Sequence, residues 1–466
     1  MTISEPRAVE VPASLHGALA ELVAALVARE PWWSKGDGAQ ADAAGLTDTD
    51  PEPAELPTPV VRSADVLQAG RPGLLSVVAD VGDATIHRVL GLRAPGEESA
   101  FLPDADPAPL GLFDDTDGLA IVFDALTDAS FCLALLRAVT GADDEPGPVR
   151  RARSGRDHDS LVFDDRLVLT VFKELPDADG PHPGLEMLLA LDRVGFNHLI
   201  APRAVWRRGS LDLGVVQDYP AGSTSGWALA LTSLRDLYAS GLPPDQAGGD
   251  FAVEAKRLGT MTARLHLGLD EAFGRVPGDP GAWADTVASV VRPVEPDLLD
   301  DPAVAAMLDD LRTSTTRCLA IRTHGDLHLG LVIRTDIGWL LADFPPGGAA
   351  GERSAEDARE RAAENRPGSP VRTAPVFRSP LVDVADMLWS FHRVAERAAS
   401  ERAPSEPPEV AALARAWEAR NRRAYLSAYL ATPGIGGIVP RVPGLVRSLV
   451  AAFQLERAAL ARPSPA

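Results

Sequence analysis

The chain has 466 residues, 45% of them hydrophobic, with a formal net charge of −21 and a pI of about 4.8. That length predicts two or three lobes rather than one core, and the charge excludes a nucleic acid or an anionic membrane as the main partner, because arrays of phosphates are repelled. Cys132 and Cys318 are the only cysteines, which excludes a disulfide framework and a cysteine-based zinc site. MTISEPRAVE has no basic stretch leading into an apolar core, and no run reaches the roughly 20 apolar residues of a membrane span, so the expected location is cytoplasmic.

In chain order, residues 13–29 carry apolar side chains at helical spacing and predict a helix. The loop EPWWSKGDGAQ follows, then an Asp- and Pro-rich connection over 40–58. Strands are expected at 59–64, 71–80, 84–93 and 118–126, a helix at 129–140, and a boundary over 141–157, where no periodicity survives. SLVFDDRLVLTVFKEL reads as a hairpin around an Asp-Asp turn. PGLEMLLALDRVG (183–195) is a short amphipathic helix, and AVWRRGSLDLGVVQDYP a further hairpin. From Gly226 the pattern turns helical through WALALTSLRDLYASG, FAVEAKRLGTMTARLHLGLDEAF and DPAVAAMLDDLRTSTTRCLA. Short strands follow at 331–334 and 338–342, then a long loop over 345–380 and helices at 381–400, 407–431 and 442–461. The domains expected are a cap over 1–145, a strand-rich lobe over 146–222 and a helical lobe over 223–466.

The chemistry concentrates in IRTHGDLHLGLVIRTDIGWLLADF (321–344). Asp326 and Asp343 flank a hairpin, which brings its two ends together. Two converging carboxylates with a lysine nearby suit phosphoryl transfer, one acting on the acceptor hydroxyl and the other holding Mg²⁺ on the nucleotide phosphates. Lys173 ends the strand RLVLTVFK on the face of Leu169 and Val171, and Glu186, on the next helix, is its expected partner. Gln217, Asp218 and Tyr219, at the junction into the helical lobe, are expected to meet the purine edge. His266 reads as a packed, hydrogen-bonded core residue and His324 as a loop lock, while His328, two residues from Asp326, is a candidate metal ligand. In LVDVADMLWSFHR, Asp383, Asp386 and Trp389 fall on one helical stripe and form a candidate receptor for a polar or cationic ring. A dipole-favoured first-turn Asp383 and a core Trp389 fit the same spacing equally well.

With DRLVLTVFK, PGLEMLLAL, THGDLHLG, WLLADF and SPLVDVADMLWSF in place, the chain resembles the aminoglycoside phosphotransferase-like kinases. Within them it is similar to the bacterial maltokinase-like group, whose cap carries a stretch like EPWWSKG. The resemblance implies an α+β, two-lobed, protein-kinase-like fold with an N-terminal cap subdomain. It implies ATP and Mg²⁺, Asp326 as catalytic base, Asp343 as metal ligand, and Lys173 with Glu186 on the phosphates. The sequence departs from that group at Leu331, where Asn or Gln supplies a second metal ligand. It also departs at Asp386, where maltokinases have Gly, and in the segment after Asp343. An extra carboxylate in the pocket favours an ammonium-bearing substrate, and some maltokinase-like proteins are glucosamine kinases. The expected reaction is therefore phosphorylation of glucosamine to glucosamine 6-phosphate, with Asp326, Asp383, Asp386 and Trp389 around the sugar, by a monomer or homodimer. A maltokinase making maltose 1-phosphate, an aminoglycoside phosphotransferase and a nucleotide-binding pseudokinase are the alternatives.

Overall fold

The computed structural model describes residues 2–4, 9–30, 57–103, 105–141, 147–154, 157–176, 180–247, 250–342, 344, 377–401 and 408–461. The expectations placed on EPWWSKG beyond Glu30, on Asp343 and on 345–376 fall outside these residues.

Among the described residues the strands form four sheets. The first elements build an antiparallel sheet of β2 (Val9–Glu10), β3 (Val60–Gln68), β4 (Gly73–Val81), β5 (Ala84–Arg93), β6 (Gly111–Asp115) and β7 (Gly118–Asp124), in the order β2-β3-β4-β5-β7-β6. The near-continuous apolar run of β4 is explained by cover on both faces. Leu75, Val77, Ala79 and Val81 pack with Leu19, Val23 and Leu26 of helix α1 (His16–Val27). Leu74 and Val78 turn the other way, into the core that holds Phe131, Leu135 and Val139 of α2 (Ala129–Thr140).

That second core continues into a six-stranded sheet made of β1 (Thr2–Ser4), β8 (Val149–Ser154), β9 (His158–Phe163), β10 (Leu167–Phe172), β12 (Pro202–Arg208) and β13 (Leu211–Asp218). Two strands cross the expected cap border. β1 pairs in parallel with β12, and β11 (Glu174–Leu175) pairs with β5, so each sheet lends the other an edge. β8 lies inside the stretch expected to be an aperiodic boundary. Its run of arginines hides the alternation that marks a strand, and pairing with β9 supplies the order instead.

Helix α3 (Pro183–Arg193) leads from β11 towards β12, and β14 (Thr224–Ser225) leads into the helical region. There α4 (Gly226–Ser240), α5 (Ala252–Phe273), α9 (Leu381–Ser400) and α10 (Pro408–Ala431) pack around an aromatic centre of Phe251, Phe391, Trp417 and Tyr425, while α6 (Pro280–Val291), α7 (Pro296–Leu299) and α8 (Pro302–Arg312) group beside α11 (Pro443–Leu460), which packs on α9. α5 and α10 approach so closely that a Cβ at Gly259 would strike the Tyr425 carbonyl oxygen. The helix expected to run to residue 320 stops at Arg312, and Cys318–Arg322 is a strand, β16, between β15 (Arg275–Gly278) and β19 (Phe377–Arg378). The β-branched and polar TSTT breaks the helix. A hairpin of β17 (Val332–Thr335) and β18 (Gly338–Leu341) completes the lobe. No described helix is long and apolar enough to cross a membrane.

Candidate active site

Strand β16 delivers the chain to Thr323-His324-Gly325-Asp326, and Gly325 turns it with a φ of +85°, a conformation suited to glycine. What fixes this turn is a carboxylate on α9. The backbone N–H groups of His324 and Gly325 donate to Asp383 at 2.8 and 2.7 Å, and Nε2 of His266 lies 3.0 Å from the same carboxylate. Nδ1 of His266 lies 2.9 Å from the Tyr429 hydroxyl. The consistent proton order has Tyr429 donating to Nδ1 and Nε2–H donating to Asp383. Burial alone pushes the Asp383 carboxyl up, but its hydrogen bonds and the neighbouring histidines outweigh burial and hold it below the ordinary carboxylate range. Two helical turns on, Ser390 Oγ accepts from the Leu329 N–H at 3.2 Å, so α9 grips the loop on both sides of Asp326.

These contacts correct one expected sugar residue. Asp383 is 0% exposed, and its oxygens are committed to the loop's own backbone and His266, so it is scaffold. His266 is the hydrogen-bonded core residue that its helical setting implied.

Asp326 itself stays accessible, with its side chain 33% exposed. Arg457 of α11 donates from Nη2 to its Oδ1 at 3.3 Å, and Nε of the same guanidinium is 4.0 Å from Asp386. Asp386 is 7% exposed. Burial drives its carboxyl well above the usual range, with Arg457 pulling down and Asp383, Asp326 and Glu456 pushing up. Arg457 was not legible in the sequence, since nothing local joins it to Asp326, 131 residues away. Trp389 is half-buried with its ring 5.1 Å from that of His392, so of the expected stripe it is Asp386 that lies beside the arginine of Asp326.

The metal ligands fare unevenly. Asp343 is outside the described residues, although the pairing of β17 with β18 and the Ala342 N–H to Leu331 carbonyl bond bring the two ends of the hairpin together as expected. Leu331 is 2% exposed in the apolar core, and its side chain offers no oxygen. His328 Nδ1 accepts from the Gly330 N–H at 3.0 Å, which places the neutral ring's proton on Nε2, 3.8 Å from Asp326. A ring so arranged has no lone pair left for a metal, which corrects its assignment as a ligand.

The nucleotide side is revised as well. Glu186 receives Arg322 Nη1 at 2.5 Å and thereby steadies β16, while Lys173 Nζ lies 2.7 Å from Glu30 and 3.4 Å from Asp159. The expected Lys173–Glu186 pair is therefore not the pair formed. Glu30 sits just beyond α1, at the far end of the sequence from α3, and spacing could not have found it. Gln217 is buried and donates to the Ile200 carbonyl at 2.6 Å, and the Asp218 side chain pairs with Arg203 at 2.7 Å. The Tyr219 N–H is taken by the Arg166 carbonyl at 2.8 Å, which removes it from any purine contact. Beside this junction an apolar cluster spans the lobes, with Val162 and Val168 of the sheet and Ile200, just before β12, meeting Ile333 and Ala342 of the hairpin.

A strand-rich lobe joined to a helical lobe, with a turn-borne aspartate held by a helix at their junction, defines the two-lobed kinase-like α+β fold expected from the sequence. No family model matches the chain. It is 29% identical over 331 residues to a glucosamine kinase of Streptacidiphilus jiangxiensis, covering 66% of this chain and 67% of that one. It is 26% identical over 282 residues to a glucosamine kinase of Mycolicibacterium smegmatis, covering 55% and 62%. A solved structure of glucosamine kinase in complex with glucosamine, ADP and inorganic phosphate superposes with a TM-score of 0.58 at 21% identity, over 88% of this chain and 91% of that one. The fold is thus the one that glucosamine kinase has.

Proposed function

We propose that the protein is an ATP-dependent sugar kinase that phosphorylates glucosamine, at the 6-hydroxyl. The observation that carries this reading is the likeness, in sequence and in fold, to glucosamine kinases, one of them solved with glucosamine and ADP. Asp326 takes the role of base, accepting the proton of the acceptor hydroxyl as the phosphoryl group arrives. Arg457 steadies that carboxylate. Asp386 offers the acidic group beside it for the substrate's ammonium. The apolar cluster around Val168 and Ile333 suits a purine face.

In this reading Asp343 would be the residue that holds Mg²⁺. When bound, the metal neutralises phosphate charge. Leu331 and His328 take no part in holding it.

An ADP-release assay with glucosamine, glucose, maltose and kanamycin tests the proposal. Turnover selective for glucosamine supports it, and turnover on maltose or kanamycin alone replaces it by a maltokinase or an aminoglycoside phosphotransferase. Leu331 specifically favours the pseudokinase reading, which gains if nucleotide binds and no substrate turns over. Asp386→Asn should raise KM for glucosamine far more than for glucose, and equal effects refute the ammonium role.

A further inference from the structure

Strand β10 has two faces, and they lead to different places. Val168 belongs to the apolar cluster shared with Ile333 and Ala342 of the hairpin, so its face looks across at the chain running from the Asp326 loop. Side chains on a strand alternate. The next position on that face is Thr170, directly opposite Ser160 on β9, and Thr170 is paired on its other side with Val215 of β13. Leu169 and Val171 face the opposite way, into the large core shared with α2.

Lys173 follows this second face. Its Nζ touches Asp159, the cross-strand neighbour of Val171, and Glu30 beside the cap helix. Glu30 also accepts from Arg88 of β5 at 2.6 Å. The Lys173 carbonyl in turn accepts from the His87 N–H and from Arg88, both at 2.9 Å. Lys173 is 3% exposed, and Glu30, Arg88 and Asp159 are buried with it. Two cations and two carboxylates, from β5, β9, the residue after β10 and the turn after α1, thus form a buried charged set at the seam where β11 joins β5.

We infer that Lys173 welds the cap to the strand-rich lobe, and that Thr170, with Ser160 opposite, holds the place on this strand from which a side chain reaches the nucleotide's phosphates. The Thr170 half rests on the phosphotransfer reading, whereas the Lys173 half does not. On this strand the group set towards nucleotide is then the Thr170 hydroxyl and not an ammonium, a hydroxyl that is 0% exposed in this structure and 3.5 Å from that of Ser160 on β9.

The test is calorimetric titration of the full chain with adenosine and with Mg-ADP, alongside thermal unfolding. Lys173→Met should lower the melting temperature and leave the ADP dissociation constant within about three-fold of the parent, since a buried ion cluster is broken and no ligand contact is lost. A loss of more than ten-fold in ADP affinity at an unchanged melting temperature overturns the weld. Should Lys173→Met fail to fold, Glu30→Gln carries the same expectation and the same overturning result. Thr170→Val keeps the shape and removes the hydroxyl. It should cut the preference for ADP over adenosine by roughly ten-fold, the scale of one hydrogen bond to a charged group. An unchanged preference overturns the assignment of Thr170. If the parent chain binds neither adenosine nor ADP, the phosphotransfer reading fails and takes Thr170 with it, while the melting temperatures still decide the role of Lys173.

Discussion

Replacing Asp383 by Ala separates scaffold from substrate contact. The carboxylate accepts from the N–H groups of His324 and Gly325 at 2.8 and 2.7 Å and from His266 at 3.0 Å, with no exposed surface. Truncation leaves these buried donors unpaired, and each costs roughly 1–3 kcal/mol. With some relief from entering water, the loss comes to about 3–6 kcal/mol, a large part of the 5–15 kcal/mol that holds a typical domain. Urea unfolding followed by tryptophan fluorescence should show this loss. Under conditions where the variant is still folded, kcat should fall because Asp326 rides on the loosened turn, while KM for sugar changes little. The acid side offers a second check. The Asp383 carboxyl is depressed in the fold, so its stabilisation is present above the unfolded value of 3.8 and is lost as pH falls through the folded one. The variant should lack that part of the acid transition. A variant as stable as the parent, with KM for glucosamine alone raised, refutes the scaffold role and restores Asp383 to the sugar site.

Three other outcomes are expected. His87 is buried between the sheets, held by the Phe172 carbonyl at 2.9 Å and Ser76 at 3.0 Å, and burial lowers its pKa from 6.5 to about 4. The unfolded chain takes up a proton in that window before the folded one does, so stability should drop by about 3 kcal/mol as pH falls from 6.5 to 4. His87→Gln should flatten this slope in pH-dependent urea melts, and an identical slope rules His87 out as its source. Leu331→Asn puts an amide into the apolar core and should destabilise by about 3 kcal/mol without raising Mg²⁺ affinity; tighter metal binding at unchanged stability would mean that this position lines the cleft. Arg457→Gln frees Asp326 from its fixing contact and should lower kcat by roughly ten- to a hundred-fold with a modest change in KM, and a variant with unaltered kcat denies Arg457 a positioning role.

Local pattern carried the elements that depend on local pattern. Strands β3, β4, β5 and β7 of the first sheet, the hairpin after Asp326 and the last three helices follow from alternation, turn residues and helical spacing, and so does the buried role of His266, whereas β2 and β6 were not expected. Helix Pro280–Val291 escaped because Pro280, Gly281 and two β-branched pairs weaken a helical reading, although Asp279 caps it through the Gly281 and Ala282 N–H groups. Strand Cys318–Arg322 is short and becomes a strand through its pairing with β15 and β19.

The site shows why pattern stops where it does. Helical spacing placed Asp383 and Asp386 on one stripe, but a stripe does not say what stands opposite each residue, and here one carboxylate meets backbone N–H groups while the other meets a guanidinium. Lys173 is the sharper case. Its face on β10 follows correctly from its register with Leu169 and Val171, yet which face looks towards the hairpin after Asp326 is a tertiary fact, set by Val168 packing against Ile333 and Ala342. A shift of one residue along a strand reverses the side. The lysine that spacing assigned to the phosphates therefore stands three residues from Thr170, on the side turned towards the cap, where Glu30 neutralises it.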